Sequence, residues 1–190
     1  LYPGLFRMKQ SSGAKGLTVF YTGQSGSSPR PFPYTFECLA TAKTGLWDGD
    51  GGMNYTIMDC TLLNAYRGVC AGKTFGTSKG APYANEMHNV ANVKGTVLYN
   101  PLCFYDSSDI GRIQRCTFNN SYWANADSSV DASPPSLATL NAWTRANGKG
   151  LDIGDAGWEN VIDLSLSDYA VGVEVNTGPR LKPSGDMFNV

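Results

Sequence analysis

A ten-residue phrase occurs twice, Ile57-Met58-Asp59-Cys60-Thr61-Leu62-Leu63-Asn64-Ala65-Tyr66 and Ile113-Gln114-Arg115-Cys116-Thr117-Phe118-Asn119-Asn120-Ser121-Tyr122, and its pattern IxxCTxxNxY returns after 56 residues. Recurrence of this kind constrains the fold strongly, because a unit too small to bury its own apolar face does so against copies of itself. With gaps allowed, Val90-Ala91-Asn92-Val93-Lys94-Gly95 fits between the two copies, and Val161 to Asp168 fits after them. The chain therefore reads as stacked coils of a solenoid. Its inward positions are Cys60/Leu62, Ala91/Val93, Cys116/Phe118 and Leu164/Leu166, each pair two residues apart as a strand burying one face requires. In this register Asn64, Gly95, Asn120 and Asp168 share one corner, Pro101-Leu102-Cys103 repeats Gly68-Val69-Cys70, and His88 takes the place of Ile57.

Composition supports strands over helices. Charged residues make up 16% of the chain, and the Gly, Ser, Thr, Asn and Tyr that replace them suit short strands joined by many turns. A length of 190 residues suffices for one domain with a real core, read here as residues 1–190. A formal charge of −1 with no Lys/Arg cluster argues against nucleic acid and anionic lipid as partners. No apolar run approaches the roughly 20 residues that span a bilayer.

Strand character falls at Leu5–Met8, Leu17–Tyr21, Tyr34–Leu39, Gly150–Gly154 and Gly172–Val175, with the proline-rich 25–33 as a surface loop. A helical and loop insertion occupies 124–149, in which Ser133 caps a short helix carrying Leu137, Leu140 and Trp143 on one face. Five cysteines, Cys38, Cys60, Cys70, Cys103 and Cys116, form no CxxC pair, so they read as small buried thiols and no metal site is expected of them. Cys60 and Cys116 lie two coils apart, about 10 Å, too far for a disulfide. Cys70 and Cys103, one coil apart, are close enough, yet neighbouring parallel strands seldom present the dihedral a bridge needs.

At Tyr2-Pro3-Gly4-Leu5-Phe6, Gly16–Tyr21, Pro33-Tyr34, Leu62–Tyr66, Asp109-Ile110-Gly111-Arg112-Ile113, Phe118, Tyr122-Trp123 and Gly154–Glu159 the chain resembles proteins of the pectate-lyase superfamily, in particular bacterial proteins described as pectate-lyase-like or glycoside-hydrolase-related. The resemblance implies an all-β fold, a right-handed parallel β-helix with a short helical insertion. It also implies secretion or display at the cell surface and a polysaccharide or glycan as partner. Lyases, hydrolases, epimerases and adhesins share this architecture, so fold alone does not choose among them. Members run to more coils than 190 residues supply, which predicts a segment of a larger chain or one piece of an assembly, with self-association through uncapped strand edges.

Polysaccharide hydrolysis needs two carboxyl groups on either side of the bond. The candidates are Asp106 and Asp109, read as one turn, together with Asp155 and Glu159 on either side of Trp158. Arg112, Tyr122, Trp123 and Trp158 are the expected substrate-binding residues, since flat rings cover apolar sugar faces. A non-catalytic adhesin or glycan-binding stalk is the alternative, and a lyase a second. Asp48, Asp50 and Asp59 suggest a calcium loop only faintly, because Gly52 and Met53 stand where a ligand and the invariant glycine belong. The expected cofactor is none. His88 is the only histidine, so a His-dependent acyl-transfer triad is not expected.

Overall fold

The computed structural model describes residues 4–38, 52–71, 85–107, 109–177 and 183–190. In chain order the strands are β1 (Phe6–Met8), β2 (Gly13–Lys15), β3 (Thr18–Val19), β4 (Tyr34–Cys38), β5 (Gly52–Met53), β6 (Thr56–Met58), β7 (Thr61–Ala71), β8 (Asn85–Glu86), β9 (Asn89–Ala91), β10 (Lys94–Ser107) and β11 (Gly111–Phe118). Helices α1 (Ser121–Ala124) and α2 (Leu137–Asn147) follow, then β12 (Lys149–Ala156), β13 (Glu159–Leu166), β14 (Val171–Asn176) and β15 (Met187–Phe188). The class is all-β, and the strands pair in parallel throughout.

Apart from β5 and β8, which pair with each other and at the end of β10, the pairing sorts into three ladders that the chain visits in turn. The first contains β1, β4, the second half of β7, the second half of β10, β12 and β14. In the second are β2, β6, β9, the first half of β11, the first half of β13 and β15. The third joins β3 and the first halves of β7 and β10 to the ends of β11 and β13.

Because parallel partners are in register, like positions stack in columns. Phe6, Phe36, Val69, Leu102, Leu151 and Val173 form one column in the first ladder. Ala14, Ile57, Val90, Ile113, Val161 and Met187 form the corresponding column in the second. Their middle members are fully buried and belong to one continuous core. Each such side chain contributes about 1.5–3 kcal/mol by leaving water.

The corner between the second and third ladders has a backbone signature. Gly16, Asp59, Asn92, Arg115, Asp163 and Asn189 occupy it in successive strands, with φ of 71°, 55°, 54°, 53°, 54° and 55°. Left-handed backbone is uncommon outside glycine, and Asn and Asp tolerate it best. Side chains link neighbours along this corner: Asn92 Nδ2 donates to Asp59 Oδ1 at 2.9 Å, Arg115 Nε to Asn92 Oδ1 at 2.9 Å, and Asn189 Nδ2 to Asp163 Oδ1 at 2.8 Å.

This corner corrects the register read from the sequence. Lys94 pairs with Thr61 and Thr117, so Val93, one residue past the corner, stacks with Cys60 and Cys116, while Gly95 faces Leu62 and Phe118. Gly95 therefore does not share a corner with Asn64 and Asn120. It needs to be glycine, with φ 145° and a notional Cβ only 1.9 Å from the Leu62 carbonyl oxygen. Likewise Val90, not His88, takes the place of Ile57, and His88 stands where Tyr55 stands one strand earlier. The expected match of Leu102 and Cys103 with Val69 and Cys70 is observed.

Three local expectations also shift. β10 continues through Ser107 because it pairs with β12, so Asp106 lies in a strand and not in a turn. β2 occupies a stretch expected to separate strands. The helix in the insertion is capped by Ser136, whose Oγ accepts from Thr139 N at 3.2 Å, three residues beyond Ser133 and after both prolines. α2 lies against the sheet through Leu140, which packs with Leu98 and Trp123, and Trp143 meets Tyr66 at 5.9 Å.

All five cysteines remain buried thiols. Burial pushes the Cys116 thiol up from 9.0 to about 11. A thiol whose folded pKa is raised stabilises the fold below its unfolded pKa, and that contribution is lost as pH rises toward the folded value. Stability should therefore fall between pH 9 and about 11, and Cys116→Val should flatten that slope by up to about 3 kcal/mol. Urea midpoints measured across this range for both proteins check it.

Candidate functional site

The outer face of the second ladder brings together residues that lead into β9, β11 and β13 with others that alternate out of the core along these strands. Met87, Ile110 and Trp158 precede the in-register residues His88, Gly111 and Glu159, so they form a column, and all three are exposed, Trp158 at 61%. Beside it runs a polar row. Asn89, Arg112 and Asn160 are register partners, and Gln114 Nε2 donates to Asn89 Oδ1 at 3.2 Å. Ile162 and Phe188 continue the apolar character toward β15, and both are exposed. A shallow depression of about 240 Å³ lies here, lined by Ile110, Arg112, Ile113, Gln114, Asn160 and Ile162. The Asn160 amide is held by the carbonyls of Gly111 and Trp158 at 3.3 and 3.2 Å, which fixes the row beneath the indole. The result is an exposed sheet face with an aromatic ring, aliphatic neighbours, side-chain amides and a guanidinium.

Of the residues expected from sequence, Arg112 and Trp158 therefore meet on one face. Asp109 sits just before Ile110, half-buried, with Oδ1 accepting from the Ile110 N–H at 2.8 Å. Glu159 follows Trp158 but points the opposite way, into the core. Tyr122 and Trp123 belong to α1, beyond the far end of β11; Trp123 is buried, and its indole N–H donates to Asp131 Oδ2 at 2.7 Å. The side chains of Asp106 and Asp155 lie outside the described residues, as do Asp48 and Asp50 of the suggested calcium loop. Asp59 is described and is engaged at the corner, 3.6 Å from Lys15. Among the described residues no group of three or more His, Cys, Asp or Glu converges as metal ligands would.

Inside the fold, Glu159 meets His88. Nε2 and Oε1 are 2.8 Å apart and both side chains are essentially inaccessible. The imidazole is stacked between Tyr55 and Phe104, at 5.7 and 4.6 Å. Tyr55, His88, Gly111 and Glu159 occupy one register position in successive strands, so His88 and Glu159 are two strands apart, about 9.6 Å along the stack. They touch because Gly111 between them has no side chain. A Cβ there would lie 2.3 Å from Glu159 Oε2 and 2.4 Å from the His88 ring. Neither His88 Nδ1 nor Glu159 Oε2 has a hydrogen-bond partner among the described residues.

A second polar group covers the outer face of the first ladder. Tyr105 donates to Asp152 Oδ1, and Asn176 Nδ2 reaches both Tyr105 Oη and Asp152 Oδ1, at 2.9 and 3.0 Å. Burial, and then the Asp152 carboxylate, hold the Tyr105 hydroxyl well above its ordinary pKa. Glu174, the strand partner of Asp152, accepts from Lys149 Nζ at 2.5 Å, and that bond raises the Lys149 pKa. Asp152 and Glu174 escaped the sequence reading because neither neighbours the repeated phrase; only the register between β12 and β14 pairs them.

In comparisons with known proteins, no family model, no curated protein and no solved structure matches the chain.

Gly111→Ala should destabilise the fold by about 3 kcal/mol, because the methyl group must separate a buried hydrogen-bonded pair. Gly172→Ala, whose Cβ would meet nothing within 4 Å, should change stability little. Urea unfolding of the two variants compares them directly.

Proposed function

We propose that the chain is part of a right-handed parallel β-helix that acts on a polysaccharide outside the cell and holds it against the outer face of the second ladder. What carries this reading is the union of Trp158, Ile110 and Met87 with Arg112, Asn160 and Gln114 on one exposed face. An extended glycan offers alternating apolar faces and hydroxyl edges, and an indole beside a fixed amide oxygen and a guanidinium complements both. Three ladders visited in turn, with in-register columns, support the helical winding, and parallel crossovers are right-handed in about 98% of cases. Among the described residues β14 pairs with β12 alone and β15 with β13 alone, and exposed Val175, Met187 and Phe188 flank them, which favours a further partner there, either more coils of a longer chain or another copy. Trp158→Ala and Arg112→Ala should each weaken retention in gels containing a neutral or acidic polysaccharide by tenfold or more without altering the unfolding midpoint. Unchanged retention across a polysaccharide panel would count against this face.

A hydrolytic reading is favoured by one observation: Asp152 and Glu174 are strand partners, so two carboxylates stand on adjacent strands, and glycoside hydrolysis uses a pair of carboxyl groups. Glu174 pairs with the Lys149 ammonium and Asp152 accepts from Tyr105 and Asn176, so both carboxylates are held in place. Asp152→Asn and Glu174→Gln should each lower release of reducing ends at least 100-fold while leaving glycan retention intact. If both variants keep full activity, hydrolysis does not use this pair.

A further inference from the structure

The outer face of the third ladder carries a polar hollow that the glycan reading does not use. Thr61, Lys94 and Thr117 are register partners on β7, β10 and β11. Cys60, Val93 and Cys116 before them, and Leu62 and Phe118 after, are fully buried, so strand alternation turns the three side chains outward. Two residues earlier, at the left-handed corner, stand Asp59, Asn92 and Arg115, and these six residues line a depression of about 380 Å³. We propose that this depression binds a tetrahedral oxyanion, the sulfate or phosphate group of an ester or of a free ion.

Charge favours an anion. Lys94 and Arg115 are exposed cations, and among the described residues neither forms an ion pair. The one carboxylate in the lining, Asp59, is already engaged: Oδ1 accepts from Asn92, and Oδ2 lies 3.6 Å from Lys15 Nζ. The hollow thus keeps a surplus of positive charge on a chain whose formal charge is −1. At an exposed site that attraction is modest and screened by salt, so selectivity must come from directed donors.

The donors suit three or more oxygens. Thr61 and Thr117 stand one strand spacing, about 4.8 Å, to either side of Lys94, and their hydroxyls have no hydrogen-bond partner among the described residues. A group seated over the middle strand therefore meets a hydroxyl from each neighbour, with the ammonium between them. Arg115 is steered by Nε donating to Asn92 Oδ1 at 2.9 Å and Nη1 to Gln114 Oε1 at 3.3 Å, which leaves Nη2 for a ligand. A planar carboxylate has two oxygens and is matched by one bidentate guanidinium. Here the guanidinium is turned aside, and the donors come singly from separate residues.

Amide NMR shifts of the labelled full chain at low salt read the site directly. Inorganic sulfate, inorganic phosphate and dextran sulfate should each move Thr61, Lys94, Arg115 and Thr117 together, whereas uncharged dextran should not. Lys94→Ala and Arg115→Ala should each weaken the binding of dextran sulfate at least tenfold, and Lys9→Ala, which removes an equal charge from an exposed position elsewhere, less than twofold. Trp158→Ala should leave the shifts caused by inorganic sulfate unchanged, which separates this site from the glycan face. Tighter binding of dextran sulfate than of inorganic sulfate, per sulfate group, assigns the hollow to an esterified polysaccharide, and equal binding assigns it to the free ion. No shift at these four residues, shifts scattered over the surface lysines and arginines, equal losses in Lys94→Ala and Lys9→Ala, or displacement of sulfate by polygalacturonate as effective as by phosphate would overturn the proposal.

Discussion

Everything in this fold depends on parallel strands that pair without slipping. Hydrogen bonds between neighbours hold equivalent residues about 4.8 Å apart, and since side chains alternate faces, a one-residue slip would turn a whole column from core to solvent. The left-handed corner maintains that register. Five non-glycine residues in a row accept a backbone conformation costing roughly 1–2 kcal/mol each, and their side chains link neighbouring strands in return. The corner fixes where the chain enters the third ladder, and so which residues face inward.

That arrangement explains what the sequence could and could not disclose. The two copies of IxxCTxxNxY were legible because Cys60 and Cys116, Leu62 and Phe118 are truly equivalent: both follow the corner, β7 beginning just after it and β11 running through it. The intervening copy was misaligned by two residues, because Gly95 looks like a corner glycine although it fills an inward position beneath Leu62. A residue without a side chain gives hydropathy no sign of which way it faces. The left-handed corner was hidden for a related reason, since Asp59, Asn92, Arg115 and Asp163 share a conformation and not a chemical type.

The site was legible in part for the same physical reason. Trp158 and Arg112 could be singled out as large surface-suited residues, but their sharing a face depends on strand pairing across 48 positions that no local pattern contains. Glu159 illustrates the opposite case. By spacing alone it stands beside an exposed tryptophan and should face solvent with it, yet Trp158 sits on left-handed backbone just before β13 and Glu159 opens the strand on its buried side.

The inward turn of Glu159 also ties the exposed face to the core. Gly111 lies between Ile110 and Arg112, two residues of the outer face, while its missing side chain is what lets His88 and Glu159 join behind them. A buried ionisable pair is rarely the most stable filling for a core, since well-packed apolar residues of similar volume often do as well or better. What the pair does provide is direction: a hydrogen bond across two strands has one geometry, whereas apolar contacts tolerate small sliding. Locking β9 to β13 through β11 at this point holds Met87, Ile110 and Trp158 in line. The line of the outer column is then a consequence of the polar contact behind it, and loosening that contact would disturb the alignment of the tryptophan before it unfolded the ladders.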